Sequence, residues 1–577
     1  MTRWLIVGLA IALAACASPP PSQSPPSQSP PSQSPPSQSP QGLPIAGTAD
    51  CRALVNDLTV AITQAGVGDA QAVRIEGFDW LRVDRFTAAL GRKAGVGTQT
   101  AAWLERLRAL DAQARRIELA NLPDARVTWL AGAASLTTPT SDADPALQPG
   151  AVRSARQALQ ARIDSCGHAS TAAIAQEPET LDRLRRSAQV PDDYVEWQRA
   201  LGIYPVSSLA FQAGVRREEA AMAAAHARHA DAVARDARLM MIEQAPIQAQ
   251  DDDGSRIANF KRDALGVPQP DQGQAAALLA RHAPVIALAG RTADDRIGTL
   301  QLDAQGRSVV DTGRPAVYGR IAYMHWQGEI RVQLVYTAWF PRRPPDGRAD
   351  LLAGHLDGIV LRLTMDADER IDMIDSIHPC GCWHQFIPVG DWQVQPAPVA
   401  GEEWAFVARR LASVPTGHRV RIRVSAGAHM LEGIDSVDRL QGIGRSAPIG
   451  SAPPPATPPA PPPATPPAPP TPGIATASSP DAGSGPDDYT LLPDDSLRSL
   501  ALPSGGRRSL YDPRGFVPGT DRAEAWLFWP MGVADAGAMR QWGRHATAFV
   551  GRRHFDDADL LERRFIRPAR SPDQIRR

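Results

Sequence analysis

Apolar residues recur at three- and four-residue spacing through much of the first half of the chain. Residues 51–64 (CRALVNDLTVAITQ), 100–117 (TAAWLERLRALDAQARRI) and 152–165 (VRSARQALQARIDS) each carry the single apolar face of a helix packed on one side. Arg216 to Met241 is a longer, alanine-rich segment, and Ala72 to Ile75 is a short extended piece. After about Gly298 the period changes to two. Ile330, Val332, Leu334 and Tyr336 alternate with Arg331, Gln333 and Val335, and Val420, Ile422 and Val424 alternate with Arg419, Arg421 and Arg423. One polar and one apolar face per strand is the pattern of an antiparallel sheet. IVLRLTM (359–365) and IDMIDSI (371–377) flank DADER and predict a β-hairpin.

The pattern therefore predicts an α+β protein. A mainly helical region spans 48–290 and an antiparallel sheet region 291–445; a C-terminal segment, 487–577, packs back on the sheet. In that last segment Trp526, Phe528 and Trp529 are the expected anchors, followed by helices over about 534–549 and 556–564. Two stretches cannot contribute to a core. Residues 18–41 repeat PPSQS and residues 452–472 read APPPATPPAPPPATPPAPPTP, so linkers are expected over 16–47 and 446–486.

The first fifteen residues form a signal peptide: one arginine, an apolar run from Trp4 to Ala12, then small residues before a cysteine. The run is too short to span a bilayer comfortably. Leu13-Ala14-Ala15-Cys16 resembles the lipobox of bacterial lipoproteins. The resemblance implies cleavage before Cys16, acylation of its sulfur and new amino terminus, and a body tethered to the membrane. Ala17, where that family uses aspartate for retention, implies the outer membrane. About 30 extended linker residues at about 3.1 Å each let the body stand up to about 90 Å from its lipid.

The formal charge of −1 supplies no field for nucleic acid or anionic lipid, and no nucleic-acid partner is expected. Lys93 and Lys261 are the only lysines among 61 basic residues, but abundant Ala, Arg, Gly and Pro point to codon bias rather than to anion recognition. Complete catalytic signatures are absent: no G-x-S-x-G, P-loop, HExxH or S-x-x-K. Gly442-Ile443-Gly444-Arg445-Ser446-Ala447 matches a dinucleotide fingerprint but leads into a proline tract.

With Cys16 acylated, four cysteines remain for an oxidising compartment. Pairing within each half makes Cys51–Cys166 a candidate structural disulfide. Cys380 and Cys382 lie in IHPCGCWH (377–384), directly after the second hairpin strand. In a straight strand His378 and His384 would be about 20 Å apart, so one ion could hold the motif only if the chain turned at Gly381. Cys380 and Cys382 are thus candidates for a strained disulfide or redox pair, for a metal site, or for buried thiols. A set that survives cysteine oxidation is His355, Asp357, His378 and His384, brought together at the open end of the hairpin around a divalent metal such as zinc. Asp357 or Asp375 would then serve as general base to a metal-bound water. His226 and His229 share a helix face and read as solvated. Asp366, Asp368 and Asp372 read as a hairpin turn and not a calcium loop.

These features predict a lipid-anchored cell-envelope protein with a binding or assembly role and envelope protein partners. The alternative is a metal-dependent or thiol-redox enzyme centred on His378–His384.

Overall fold

Amphipathic segments of the first half fold as helices, and their apolar faces meet in two seams. In chain order these are α1 (Ala49–Ala65), a hairpin of β1 (Val73–Ile75) and β2 (Phe78–Val83), α2 (Arg85–Lys93), α3 (Thr98–Asn121), α4 (Asp124–Ala133), α5 (Pro149–Gln176), α6 (Pro178–Ser187), α7 (Glu196–Leu201) and α8 (Tyr204–His229). The computed structural model describes residues 49–136, 149–229, 239–244, 253–290, 292–347, 350–438 and 488–567. Cys16, the leader, the tether of 16–47 and the proline tract within 446–486 lie outside the described residues.

Leu54, Leu58 and Ile62 of α1 pack with Leu119, Val127 and Leu130, and with Leu159 and Ile163 of α5. At the end of this seam Cys51 and Cys166 are joined in a disulfide, Cα–Cα 5.7 Å, 115 residues apart in sequence. Asp84 starts α2 with a capping box: its carboxylate accepts from the Thr87 amide at 2.7 Å. Behind the seam lies a buried ionic group. Arg82 bridges Asp111 at 3.1 Å and Glu118 at 2.7 Å, and Arg115 also pairs with Asp111.

The second layer is a ten-stranded sheet, built from β3 (Met240–Gln244), β4 (Val285–Leu288), β7 (Ala316–Trp326), β8 (Glu329–Arg343), β9 (Gly354–Met365), β10 (Ile371–Ile377), β11 (Gln385–Pro388), β13 (His418–Val424), β14 (Leu431–Asp438) and β15 (Asp488–Pro493). A helix, α9 (Gln272–Arg281), precedes β4; β5 (Thr299–Leu302) and β6 (Ser308–Asp311) form a separate hairpin, and β12 (Gln393–Val394) pairs with Phe565–Ile566. The strand order is β11-β10-β9-β8-β7-β15-β3-β4-β13-β14.

The α+β class holds, but the sheet is mixed and not wholly antiparallel. β15 runs parallel to both β7 and β3, and β13 parallel to β4. It also draws β3 and β4 from the mainly helical stretch and β15 from the C-terminal segment. The hairpin over DADER forms, with Ile371 opposite Met365 and Ile377 opposite Val360. Asp366 closes its turn by accepting from the amides of Asp368 and Arg370. β8 is buried on both faces through its middle, because helices and the C-terminal segment cover what the alternation left polar.

The C-terminal segment departs most from expectation. Residues 534–549 form turns instead of a helix, with Gly537 (φ 86°) and Gly543 (φ 90°) in the left-handed region. A short helix, α10 (Glu524–Phe528), precedes them, and α11 (Leu560–Arg564) follows. Trp526 does not anchor the segment: it is 85% exposed. Phe528 and Trp529 do pack, Phe528 stacked on Phe549 at 3.9 Å and Trp529 edge-on to Trp197 at 5.7 Å.

Candidate functional site

Pro379 and Gly381 turn the chain as β10 ends. The His378 amide donates to the Cys382 carbonyl at 3.0 Å and the Gly381 amide to the His378 carbonyl at 2.7 Å. Gly381 has φ 91°, and a Cβ there would collide with the carbonyl oxygen of Ala546. The turn is thus closed on itself and clamped from outside, with the Arg540 amide donating to the Pro379 carbonyl at 3.0 Å.

Inside the turn, Cys380 and Cys382 are free thiols, 1% and 7% exposed, among Trp339, Leu356, Tyr511 and Met539. Both line one crevice, and the interaction between the two thiols lowers Cys380 below its ordinary value, against the effect of burial, and raises Cys382 well above its own.

The four residues proposed to share a metal separate into three places. His355 Nε2 hydrogen-bonds Ser308 Oγ at 3.0 Å on β6. Leu356 beside it has φ 52°, which breaks the two-residue alternation that would have put His355 and Asp357 on one face. Asp357 is fully buried: Oδ2 accepts from His429 Nδ1 at 2.8 Å, and Oδ1 lies 3.4 Å from His378 Nδ1 and 3.3 Å from Arg522 Nη2. His384 donates from Nε2 to Asp375 at 2.9 Å, and Asp375 is also gripped by the Arg362 guanidinium. Among the described residues no group of three or more His, Cys, Asp or Glu is placed to hold a metal ion. The zinc arrangement is corrected accordingly: each carboxylate already satisfies a different buried cation or imidazole.

The electrostatics follow this partition. Burial lowers His384 to about 3, and although Asp375 pulls the other way the ring stays neutral. Burial also lowers His378, more than Asp357 restores it. Burial alone would raise Asp357, but His378, His429 and Arg522 hold it well below the usual carboxylate range. His429 is raised because its bonds to Asp295 and Asp357 outweigh desolvation. His226 is not solvated: it is buried and donates from α8 to Gln385 Oε1 of β11 at 2.9 Å.

Sequence reasoning missed the groups that complete the neighbourhood of the thiols. Glu524 is 1% exposed, its Oε1 has no hydrogen-bond partner, and burial raises its carboxyl to about 7. Gly537 makes room for it, since a Cβ there would meet the carboxyl group. Arg522 uses Nη2 on the Leu356 carbonyl and Asp357, leaving Nε and Nη1 without hydrogen bonds. A narrow crevice lined by Cys380, Gly381, Cys382, Val533, Gly537 and Ala546 opens beside them, with room for about one water-sized molecule.

A second surface feature stands at the corner between α7 and α8. Trp197 (58% exposed), Leu201 (70%), Ile203, Val206 and Leu209 face outward. Gly202 presses on Pro530, and Trp197 meets Trp529, so the corner runs into the segment that carries Trp526. Among the described residues no helix is long and apolar enough to cross a membrane. Comparison of the chain with protein-family models, curated proteins and solved structures finds no match.

Proposed function

We propose that this chain is a lipid-anchored envelope protein, held at the outer membrane through Cys16, whose body serves a binding or assembly role with other envelope proteins. The observation that carries the binding role is the apolar corner. Large outward-facing apolar side chains that cluster, two of them tryptophans, are characteristic of partner sites, whereas scattered ones are ordinary. A tether of about 30 residues would keep such a face near the membrane while leaving it free to reorient.

The test places a photoreactive side chain at position 526 in the full-length protein in cells, with position 314, on an exposed charged turn, as control. A discrete adduct from 526 that is absent from 314 and lost in Leu201→Asp with Val206→Asp supports the reading. Equal, diffuse labelling at both positions contradicts it. Fatty-acid labelling abolished by Cys16→Ser tests the anchor separately.

Thiol chemistry at Cys380 and Cys382 is a second reading, favoured by two buried thiols that share one crevice with Gly537, the glycine packed against the unpartnered carboxylate oxygen of Glu524. The residues that a metal-dependent counterpart needs diverge.

A further inference from the structure

Buried polar groups are nearly always hydrogen-bonded, and those that are not call for an explanation. Beside the thiols three such groups coincide: Glu524 Oε1, Nε and Nη1 of Arg522, and the ring nitrogens of His378, whose nearest acceptor is Asp357 at 3.4 Å. All three side chains are more than nine-tenths buried. Gly537, which packs against the Glu524 carboxyl, lines a narrow crevice together with Cys380 and Cys382. A structural pair of cysteines has no use for an unsatisfied carboxylate and guanidinium; an enclosed reaction does.

We infer that Cys380 and Cys382 are a redox couple oxidised by small hydroperoxides, with Glu524 carrying the proton and Arg522 holding negative charge at the reacting sulfur. The inference rests on the thiol reading and supplies its oxidant and its proton carrier. A peroxide is the smallest two-electron oxidant of a thiol and suits so narrow a crevice.

The Cys380 thiol gives its proton to Glu524, and the thiolate attacks one peroxide oxygen. An S–O bond forms and the O–O bond breaks; the leaving hydroxide takes the proton from Glu524 and departs as water. Cys380 is then a sulfenic acid. Cys382 attacks its sulfur, forming S–S and breaking S–O, and the Cys382 proton leaves with the hydroxide as a second water. Two thiols lose two electrons and two protons; one hydrogen peroxide is reduced to two waters. A dithiol reverses the disulfide.

The working form shares one proton between the Glu524 carboxyl and Cys380, while Cys382 carries its own. Glu524 faces Arg522, Arg343, Asp357 and Asp350 besides the two cysteines. Cys380 faces Arg522, and Cys382 faces Arg540. The rate therefore rises as the first proton is lost and falls once Glu524 has none left to give.

The experiment uses the full chain, reduced with a dithiol without denaturant, then treated with hydrogen peroxide from pH 5 to 9. Alkylation and mass analysis of the 380–382 peptide follow the products. Expected is a bell-shaped rate with its maximum near neutrality, ending in loss of two hydrogens from the peptide. Glu524→Gln should lower the rate at pH 7 by about a hundredfold and abolish the fall at high pH. A pair that neither reduces nor oxidises in the folded chain overturns the thiol reading itself. A pair that oxidises with a simple rising profile, or unchanged in Glu524→Gln, overturns the inference alone. The wild-type profile decides the matter if the variant does not fold.

Discussion

The protein holds two pairs of cysteines in opposite settings. Cys51 and Cys166 come from α1 and α5, 115 residues apart, and meet in an apolar seam. Cys380 and Cys382 are separated by one glycine and line a crevice with Gly537, against which the buried Glu524 packs. The first pair closes a long loop, which restricts the unfolded chain and offers no chemistry. The second closes almost nothing, so its contribution to stability is small. What surrounds it is suited to moving a proton. The same two atoms are a staple in one place and a candidate reactive centre in the other because of what lies within a few ångströms.

The comparison can be broken most directly at the staple. Cys51→Ala with Cys166→Ala should lower the unfolding free energy in urea by up to about 4–5 kcal/mol, whereas Cys380→Ala with Cys382→Ala should cost about 1–2 kcal/mol. Equal losses would show that both pairs are structural. Arg362→Met comes next. It strips Asp375 of its buried guanidinium and leaves that carboxylate with only a neutral histidine, so a loss of about 3–4 kcal/mol is expected in the same titration. Gly381→Ala should cost about 2–3 kcal/mol, from its left-handed backbone and the clash with Ala546, and should make both thiols react faster with an alkylating agent.

The smallest effect per step is that of pH. His384 and His545 are each buried neutral at about 3, below the ordinary value of about 6.5. The unfolded chain therefore takes up these protons first. Their stability is fully present above about pH 6.5 and is lost as pH falls toward 3, by about 1.4 kcal/mol per pH unit for each ring. Melting scans in that window should show the slope, and His384→Gln should reduce it.

Regions with long apolar periods were legible in the sequence, and short ones were not. The helices near 51–64, 100–117 and 152–165 and the hairpin at 359–377 announce themselves over ten or more residues. β3 and β4 are five and four residues long, and a short apolar run has no period of its own. The metal quartet failed for a local reason, the turned backbone at Leu356, and a distant one: His429 and Arg522 reach Asp357 from elsewhere in the chain. Glu524 carries no signal at all in EAWLF. Only the packing of Gly537 against it shows that this glutamate is inside.

β15 carries a consequence for the order of assembly. It is the single strand joining the β7-to-β11 half of the sheet to the half containing β3, β4, β13 and β14. Its residues, 488–493, emerge late in synthesis, after every other strand of the sheet. Until then the two halves have no backbone bonds between them, so a chain synthesised from its N-terminus must keep two unpaired strand edges apart while it waits. This last pairing is thus a lock on completion: a chain cut short before residue 488 would hold two half-sheets, with neither half able to close the other's edge.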